Sequence, residues 1–329
     1  MKLFVTGGTG FLGGWVIRSA LEAGHAVRAL VRDPKASLPE GAESVQADLL
    51  DPEALAQAMQ GCEAVIHLAG KVSRDKQMAG AMHEVHVGGT RSLLAAMKQV
   101  GLRKLVVSST SGTVGMAKDA PWTPATEAQT PDFDLLGRFP YYTSKLYQEQ
   151  ALARAADDVD AIILNPSLLL GPGDVRMSST EDVLDILEGR VPAVSEGTVA
   201  LVDVRDAAPA FIAALERGRA GERYLLNGAN LSLRNFAQRV AVAGNIRGPA
   251  IKLSGKWAVR GAKLLSGVFE TLDRDAPLDP VSVELGTLHW SVDASKATEE
   301  LGFSARDPQV TIEATVRDLV DRGMFRRPR

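Results

Sequence analysis

The chain has 329 residues, 37 of them basic and 40 acidic, which gives a formal net charge of −3. Its length permits a large core, in one domain or in a large and a small one. No basic stripe indicates nucleic acid, and no apolar run reaches the ~18 residues of a membrane span. The single cysteine, Cys62, excludes an internal disulfide, and no secretory leader precedes the first apolar run. We therefore expect a soluble, cytoplasmic, globular protein without nucleic-acid partners or a transmembrane segment.

Short apolar runs alternate with helix-like segments through the first half of the chain. In order, the predicted elements are a strand at 1–5, a helix at about 14–23, strands at 26–31 and 44–47, a helix at 51–59, a strand at 64–68, a helix at 79–99, a strand at 104–108, a helix at 141–155 and a strand at 160–164. This alternation, with continuously apolar strands, predicts an α/β fold with a doubly wound parallel sheet. The long segment 110–140 is expected to be a functional loop.

The pattern loosens beyond residue 165. The predicted elements are a helix at 180–188, a strand at 199–204, a helix at 206–216, a strand at 223–226, a helix from 232 to about 242, and mostly helices from 254 onward, the last at 311–322. We expect a nucleotide-binding domain of residues 1–165 plus 198–228, and a smaller, mostly helical substrate-binding part of residues 166–197 and 229–329. A ligand would lie between them, beyond the carboxyl ends of the strands.

A glycine-rich turn joins the first strand to the first helix. Thr6-Gly7-x-x-Gly10-x-x-Gly13 has the spacing and the strand–turn–helix context of a dinucleotide site. Gly7 permits the sharp turn, Gly10 permits close approach of a pyrophosphate, and Gly13 permits close packing of the helix. The helix, beginning near Phe11, would direct free N–H groups at the phosphates. The expected cofactor contacts here are Gly7, Thr9, Gly10, Phe11, Leu12 and Gly13.

The end of the second strand indicates which nucleotide binds. Arg32 follows the strand and is suited to a 2′-phosphate, with Lys35 nearby, so NADP(H) is favoured and NAD(H) is possible. In the competing interpretation Asp33 takes the ribose, although the following proline makes it resemble a turn residue. Asp48 is a candidate for the adenine amino group, with Leu49 packing on the ring; a helix cap is the alternative role of Asp48.

A tyrosine and a lysine stand four residues apart at the start of a predicted helix. Tyr141 and Lys145 would share one helix face, where the ammonium favours the phenolate and lowers the tyrosine pKa. The pair could then exchange a proton with a substrate oxygen. The preceding strand ends in the hydroxyl cluster 108–111, which could donate to the same oxygen or form a polar turn.

Together these motifs resemble an extended short-chain dehydrogenase/reductase over essentially the whole chain. The matching pieces are Thr6-Gly7-x-x-Gly10-x-x-Gly13, Asp48-Leu49, His67-Leu68-Ala69-Gly70, Gly89-Thr90, Ser108-Ser109-Thr110, Pro140-Tyr141-x-x-Ser144-Lys145, Asn165-Pro166, Gly171-Pro172, 202–208, 295–297 and 301–303. The resemblance implies a Rossmann-type fold, Tyr141 as the acid–base, Lys145 as the ligand of the nicotinamide ribose, and Thr110 as the triad hydroxyl with Ser109 and Ser111 as substitutes. The further cofactor contacts expected at matching positions are Leu68, Ala69, Gly70, Ser108, Ser109, Asn165, Pro166 and Ser167.

The chain departs from the family pattern at two positions. His86 stands where relatives usually have a structural asparagine, and we expect a packed histidine there or, alternatively, a member of a proton path. Asn165 stands where sugar-nucleotide members more often have arginine.

The resemblance implies an NADPH-dependent reductase of a ketone or aldehyde, on the side of the family that includes dihydroflavonol reductases and 3β-hydroxysteroid dehydrogenases. The rivals are a nucleotide-sugar epimerase or dehydratase with retained NAD, and a non-catalytic nucleotide-sensing regulator. Family members are often dimers through a four-helix contact, so a homodimer through 79–99 and 141–155 is expected.

Apolar side chains in the loop and in the later helices would line a cleft for a lipophilic substrate, or form ordinary core. They are Trp122, Phe133, Leu135, Leu136, Phe139, Trp257, Leu264, Leu265 and Phe269. A membrane-surface role for residues 257–268 is a further alternative.

Overall fold

The computed structural model describes residues 1–119, 123–191, 193–249, 251–252 and 280–328. The strands are β1 (Lys2–Thr6), β2 (Ala26–Val31), β3 (Glu43–Gln46), β4 (Ala64–His67), β5 (Lys104–Ser108), β6 (Met116–Ala117), β7 (Asp160–Pro166), β8 (Leu168–Leu170), β9 (Ala193–Val194), β10 (Thr198–Asp203), β11 (Arg223–Leu226), β12 (Ala229–Ser232), β13 (Ile251–Lys252) and β14 (His289–Trp290). The helices are α1 (Phe11–Glu22), α2 (Pro52–Ala58), α3 (Ala79–His83), α4 (Gly89–Val100), α5 (Gly112–Gly115), α6 (Phe133–Leu136), α7 (Pro140–Arg154), α8 (Glu181–Leu187), α9 (Val204–Arg217), α10 (Leu233–Gly244), α11 (Pro280–Leu285), α12 (Ser295–Leu301) and α13 (Pro308–Asp321).

A seven-stranded sheet in the order β11-β7-β5-β4-β1-β2-β3 forms the centre of the protein, and all of its pairs are parallel. Leu3 and Val5 of β1 face one layer, which includes α1 and α9. Phe4, between them, faces the opposite layer, which includes α2 and α4. Inner strands such as β1 and β4 are buried on both faces and are almost continuously apolar, whereas the edge strand β3 is largely exposed. The predicted Rossmann-type, doubly wound α/β fold is therefore confirmed.

The carboxyl ends of the central strands bring the predicted site segments to one edge of the sheet. Thr6, at the end of β1, lies in register with His67 of β4. Ser108 of β5 lies in register with Leu164 of β7. The turns that leave these four strands therefore meet at this edge, as the doubly wound fold requires of its ligand site.

A second sheet lies in the later part of the chain, in the order β12-β10-β8. Its core is shared with α8, α10 and α13 and includes Leu201, Phe236 and Ile312. Strand β10 thus belongs to this sheet, whereas α9 packs on α1 and β11 joins the central sheet. The chain crosses between the two sheets within 198–228, and the proposed division into domains stays a prediction.

The helix predicted at 79–99 is divided by a π-helical turn, Glu84–Gly88. Such turns change the side-chain register within a helix and occur frequently at functional sites. The long segment after β5 contains α5, α6 and β6, all of which are very short. Within the described ranges, no helix is long and apolar enough to cross a membrane. Trp122, Trp257, Leu264, Leu265, Phe269 and the membrane-surface alternative at 257–268 lie outside the described residues.

Candidate active site

The glycine turn has little room for side chains at two of its three motif positions. Gly7 has φ +73°, and a Cβ there would lie 2.6 Å from the Ala69 nitrogen. A Cβ on Gly13 would lie 2.1 Å from the Gly7 carbonyl oxygen, well inside van der Waals contact. The turn therefore packs closely against the start of α1 and the end of β4, and the close packing at Gly13 agrees with the motif.

The first turn of α1 has no side chain that caps it. Its N-cap is Gly10, which has no side chain to accept from the free N–H groups. By contrast, α2, α9, α10 and α13 begin at Asp51, Asp203, Ser232 and Asp307, each of which accepts a backbone hydrogen bond at its own helix. Uncapped N–H groups and the positive end of a twelve-residue helix fit a pyrophosphate. Gly10 also keeps side-chain atoms away from that position.

The second strand ends in an exposed basic segment. Asp33 accepts a hydrogen bond from the Lys35 backbone N–H at 2.9 Å, which is the turn role inferred from the following proline. Arg32 and Lys35 are exposed, and within the described ranges no hydrogen bond or ion pair holds the Arg32 guanidinium. Asp48 accepts the Leu50 N–H at 2.9 Å, while Asp51 caps α2.

Other predicted cofactor contacts lie at the turns beside the site. Leu49 packs on α4, where a Cβ on Gly89 would lie 2.6 Å from its Cδ2 atom. Gly70 follows β4, and a Cβ there would lie 3.7 Å from Lys145 Nζ. Pro166 and Ser167 are buried, and the Ser167 hydroxyl lies 3.1 Å from the Leu226 carbonyl oxygen.

The phenol of Tyr141 and the hydroxyl of Thr110 lie together at the end of β5. Burial raises the pKa of Tyr141 to about 12, and the hydrogen bond with Thr110 opposes this increase. The expected lowering of the tyrosine pKa by Lys145 is therefore wrong, because the loss of water around the phenol dominates. At neutral pH the phenol keeps its proton and is available as a proton donor.

Lys145 is buried, and its ammonium is held by two oxygen atoms. Nζ donates to the Ser108 carbonyl at 2.8 Å and to Gln148 Oε1 at 3.0 Å. Burial lowers the pKa of Lys145 to about 8, and the Glu149 carboxylate opposes this shift. An ammonium has three N–H donors, so one donor remains for a third partner.

A buried carboxylate holds the turn that carries Thr110. Glu149 accepts hydrogen bonds from Ser109, from Thr113 at 2.9 Å and from Asn165 Nδ2 at 2.9 Å. Asn165 also donates to the Thr110 carbonyl at 3.0 Å. Asn165, predicted as a cofactor contact, thus stabilises the Thr110 turn through its hydrogen bonds. The Ser109 hydroxyl donates to Glu149. Of the hydroxyls predicted for the triad, Thr110 is the one that meets Tyr141.

His86 lies in the π-helical turn and is fully buried. Its Nε2 accepts the Lys71 N–H at 3.1 Å, so Nδ1 carries the proton and donates to Ser144 Oγ at 2.8 Å. Ser144 in turn donates to the Tyr141 carbonyl at 2.7 Å. Burial lowers the pKa of His86 to about 2, with a contribution from Lys145. A neutral, packed histidine that supports the backbone, the first of the two expected roles, is what the structure shows.

Several residues near the predicted site were missed from the sequence. Tyr142 packs its ring on Trp290 at 5.2 Å between centroids, and Gly112 leaves no room for a Cβ beside the Tyr142 ring. Arg74, in the turn after β4, forms a bidentate pair with Asp182 of α8 at 2.6 and 2.8 Å. The pair connects segments 108 residues apart, and no local motif signals such a contact. By contrast, Gln148 lies one helical turn from Lys145, a spacing that could have indicated it.

The apolar residues predicted for a cleft divide into two groups. Leu135, Leu136 and Phe139 are buried in one cluster with Met116 and Leu288, so they are core. Phe133 is 57% exposed.

Comparison with known proteins identifies the family. The sequence model of the NAD dependent epimerase/dehydratase family matches residues 3–226. The chain belongs to this family. It is an extended short-chain dehydrogenase/reductase, as its motifs indicate, and members of this family bind NAD(P).

Two relatives with curated names are reductases. A putative dihydroflavonol 4-reductase from Synechocystis is 33% identical over 96% of this chain and 93% of its own length. Cinnamoyl-CoA reductase 1 from Arabidopsis thaliana is 34% identical over 68% of this chain and 69% of its own. Among solved structures, a nucleoside-diphosphate-sugar epimerase from Pseudomonas aeruginosa is 25% identical, covers 99% of both chains and has a TM-score of 0.81. These similarities support an oxidoreductase at the family level.

Proposed function

We propose that the protein is an NADPH-dependent reductase of a ketone or aldehyde carbonyl on an apolar small molecule. The observation that carries the proposal is the hydrogen bond of the Tyr141 phenol with Thr110, two residues after the Ser108 carbonyl that holds Lys145 Nζ. A phenol that stays protonated at neutral pH suits the reductive direction, in which the substrate oxygen receives a proton. The two similar proteins named as reductases support the same direction.

In the proposed reaction the carbonyl carbon gains a hydride and the oxygen gains a proton, so the product is an alcohol. Bound NADPH would supply the hydride from its nicotinamide ring. Thr110 would donate a hydrogen bond that holds the substrate oxygen, and Tyr141 would transfer its phenolic proton to that oxygen. Lys145, protonated below about pH 8, would stabilise the phenolate that remains.

The preference for NADPH rests on the basic segment after β2. Arg32 and Lys35 are exposed and suited to a 2′-phosphate, whereas the Asp33 carboxylate is engaged with its own turn. The remaining sequence-predicted contacts, among them Asp48 for the adenine and the segment after β4 for the nicotinamide half, are proposed for the same cofactor. A cytoplasmic homodimer through residues 79–99 and 141–155 is part of the proposal, and light scattering would test the dimer.

A nucleotide-sugar epimerase with retained NAD is the second candidate, because the family model and the structure from P. aeruginosa carry that name. The two candidates differ in net consumption of cofactor. Retention of both Tyr141 and Lys145 argues against a non-catalytic regulator.

The decisive experiment follows NADPH absorbance with a panel of apolar ketones, aldehydes, β-keto acids and nucleotide sugars. The proposal expects oxidation of NADPH with carbonyl substrates and an alcohol product. Tyr141→Phe should abolish turnover while NADPH still binds, and Tyr147→Phe, an exposed tyrosine on the same helix, is the matched control. Tightly held NAD after purification, with no net NADPH oxidation, would establish the epimerase instead. Activity retained in Tyr141→Phe would contradict the proposed mechanism.

A further inference from the structure

A second hydrogen-bond acceptor for Lys145 lies on its own helix. Gln148 is fully buried, and its Oε1 atom accepts from Lys145 Nζ at 3.0 Å. Its Nε2 atom donates to Thr90 Oγ1 on α4 at 2.8 Å. The amide therefore joins the ammonium of α7 to a hydroxyl of the neighbouring helix, and both ends of the amide are used.

The proton positions behind Gln148 are determined by the groups around Thr90. The Thr90 hydroxyl donates to the His86 carbonyl at 2.6 Å, so it can only accept from Gln148. It also lies 3.1 Å from His67 Nε2, which must then donate. On the other side of the ring, His67 Nδ1 accepts from Thr6 Oγ1 at 2.6 Å. Each of these groups has one consistent role as donor or acceptor. A flipped Gln148 amide would direct its NH₂ group at the Lys145 ammonium, so that two donors would face each other.

The two buried histidines near Lys145 carry no charge at neutral pH. Burial lowers the pKa of His67 to about 3 and that of His86 to about 2. Glu149 is the charged neighbour, and its carboxylate is bound by Ser109, Thr113, Asn165 and, at 3.5 Å, Arg223. Gln148 is therefore a neutral acceptor in the place where a carboxylate would form an ion pair with the ammonium.

We propose that Gln148 is a positioning residue of the reductase: its amide, fixed by Thr90, holds the Lys145 ammonium so that its third N–H remains available to the cofactor and the phenol. The inference rests on the proposed function. Because the amide is neutral, it orients the ammonium without the strong stabilisation of charge that a carboxylate would give.

Three substitutions and one control variant separate positioning from general support of the fold. Gln148→Leu removes the acceptor, and kcat should fall about tenfold or more, with the carbonyl KM changed much less. Thr90→Val removes the hydroxyl that accepts from the Gln148 amide and should lower kcat in the same way. Thr90→Ser keeps a hydroxyl and should have a kcat close to that of the wild type. Gln150→Leu, on the same helix, is the control and should keep wild-type kinetics.

The pH dependence of activity distinguishes positioning from a merely structural role, because loss of structural support alone would not change the pH at which activity declines. Activity requires the Lys145 ammonium, so it should decline as pH rises through the lysine pKa. Gln148→Leu withdraws an acceptor from the charged form and should move this decline to lower pH. Gln148→Glu supplies a negative charge and should move it to higher pH, each by about 0.5 to 1 pH unit. Shifts in opposite directions would establish the inference, and an unchanged decline in both variants would overturn it.

A second measurement keeps this test separate from that of the proposed function. In protein labelled with ¹⁵N at lysine Nζ, the Lys145 signal is assigned by its loss in Lys145→Met and titrated by NMR. Opposite shifts of this titration in Gln148→Leu and Gln148→Glu support the positioning role even if no carbonyl is reduced, in which case the proposed function alone fails. Coincident titrations of both variants and the wild type would reject the inference while leaving reductase activity untouched.

Discussion

Replacing Lys145 by methionine should change the stability of the protein in a pH-dependent way. Burial lowers the pKa of Lys145 from the ordinary value of 10.5 to about 8. That difference corresponds to roughly 3 kcal/mol at neutral pH, by which the buried charge opposes folding. Lys145→Met removes this penalty but leaves the Ser108 carbonyl and Gln148 Oε1 without a donor, at about 1 kcal/mol each. At pH 7 the variant should therefore be inactive and about 1 kcal/mol more stable.

The sign of the pH dependence follows from proton binding. Between pH 8 and 10.5 the unfolded chain keeps a proton on Lys145 that the folded chain has released, so wild-type stability gains with rising pH. The advantage of Lys145→Met should accordingly shrink by roughly 2 to 3 kcal/mol between pH 7.5 and 10. Urea unfolding at several pH values, followed by circular dichroism, measures the difference in unfolding free energy between Lys145→Met and the wild type. Contributions from other titratable groups cancel in this difference. Lys98→Met, at a lysine whose side chain is 69% exposed, should give a flat difference. A flat difference for Lys145→Met as well would refute the argument.

Three further predictions concern other parts of the site. Gly13→Ala places a Cβ 2.1 Å from the Gly7 carbonyl oxygen, so it should lower the unfolding temperature and weaken NADPH binding in a fluorescence titration; a stable variant with normal affinity would contradict the packing argument. Arg32→Ala should weaken the binding of NADPH far more than that of NADH. Equal losses of affinity would favour the alternative in which Asp33 binds the adenosine ribose. A double-mutant cycle of Arg74→Ala and Asp182→Ala should give a coupling of at most about 1 kcal/mol in urea unfolding, because both side chains are more than a third exposed; a much larger coupling would show that the bridge is desolvated in solution.

The central fold was predictable because its signals are local. The inner strands of the sheet, such as β1 and β4, are buried on both faces, so a short apolar run identifies them without knowledge of their partners. The glycine turn is likewise encoded locally, and two of its three glycines, Gly7 and Gly13, have no room for a side chain. The π-helical turn at Glu84–Gly88 was not predicted, and the contacts of the buried His86 with Lys71 and Ser144 exist only in the folded chain.

The members of the candidate site stay a prediction, and the electrostatics expected for them were wrong. The spacing of Tyr141 and Lys145 suggested an ion-assisted phenol with a lowered pKa. In the structure, burial acts on both groups in opposite directions, raising the pKa of the phenol and lowering that of the ammonium. A spacing of four residues does not reveal how deeply the Tyr141 phenol is buried, so the predicted direction of its pKa shift was wrong.

Two consecutive residues of α7, Gln148 and Glu149, supply a neutral acceptor to Lys145 and a carboxylate to the Thr110 turn. Glu149 is charged, and its hydrogen bonds go to the turn that carries Thr110. Gln148, one residue earlier, is neutral and its hydrogen bond goes to Lys145. If the carboxylate stood at 148, an ion pair would raise the lysine pKa and fix its donors on the carboxylate. The order of amide and carboxylate therefore keeps a rigid Thr110 turn beside an ammonium that still has a donor to offer.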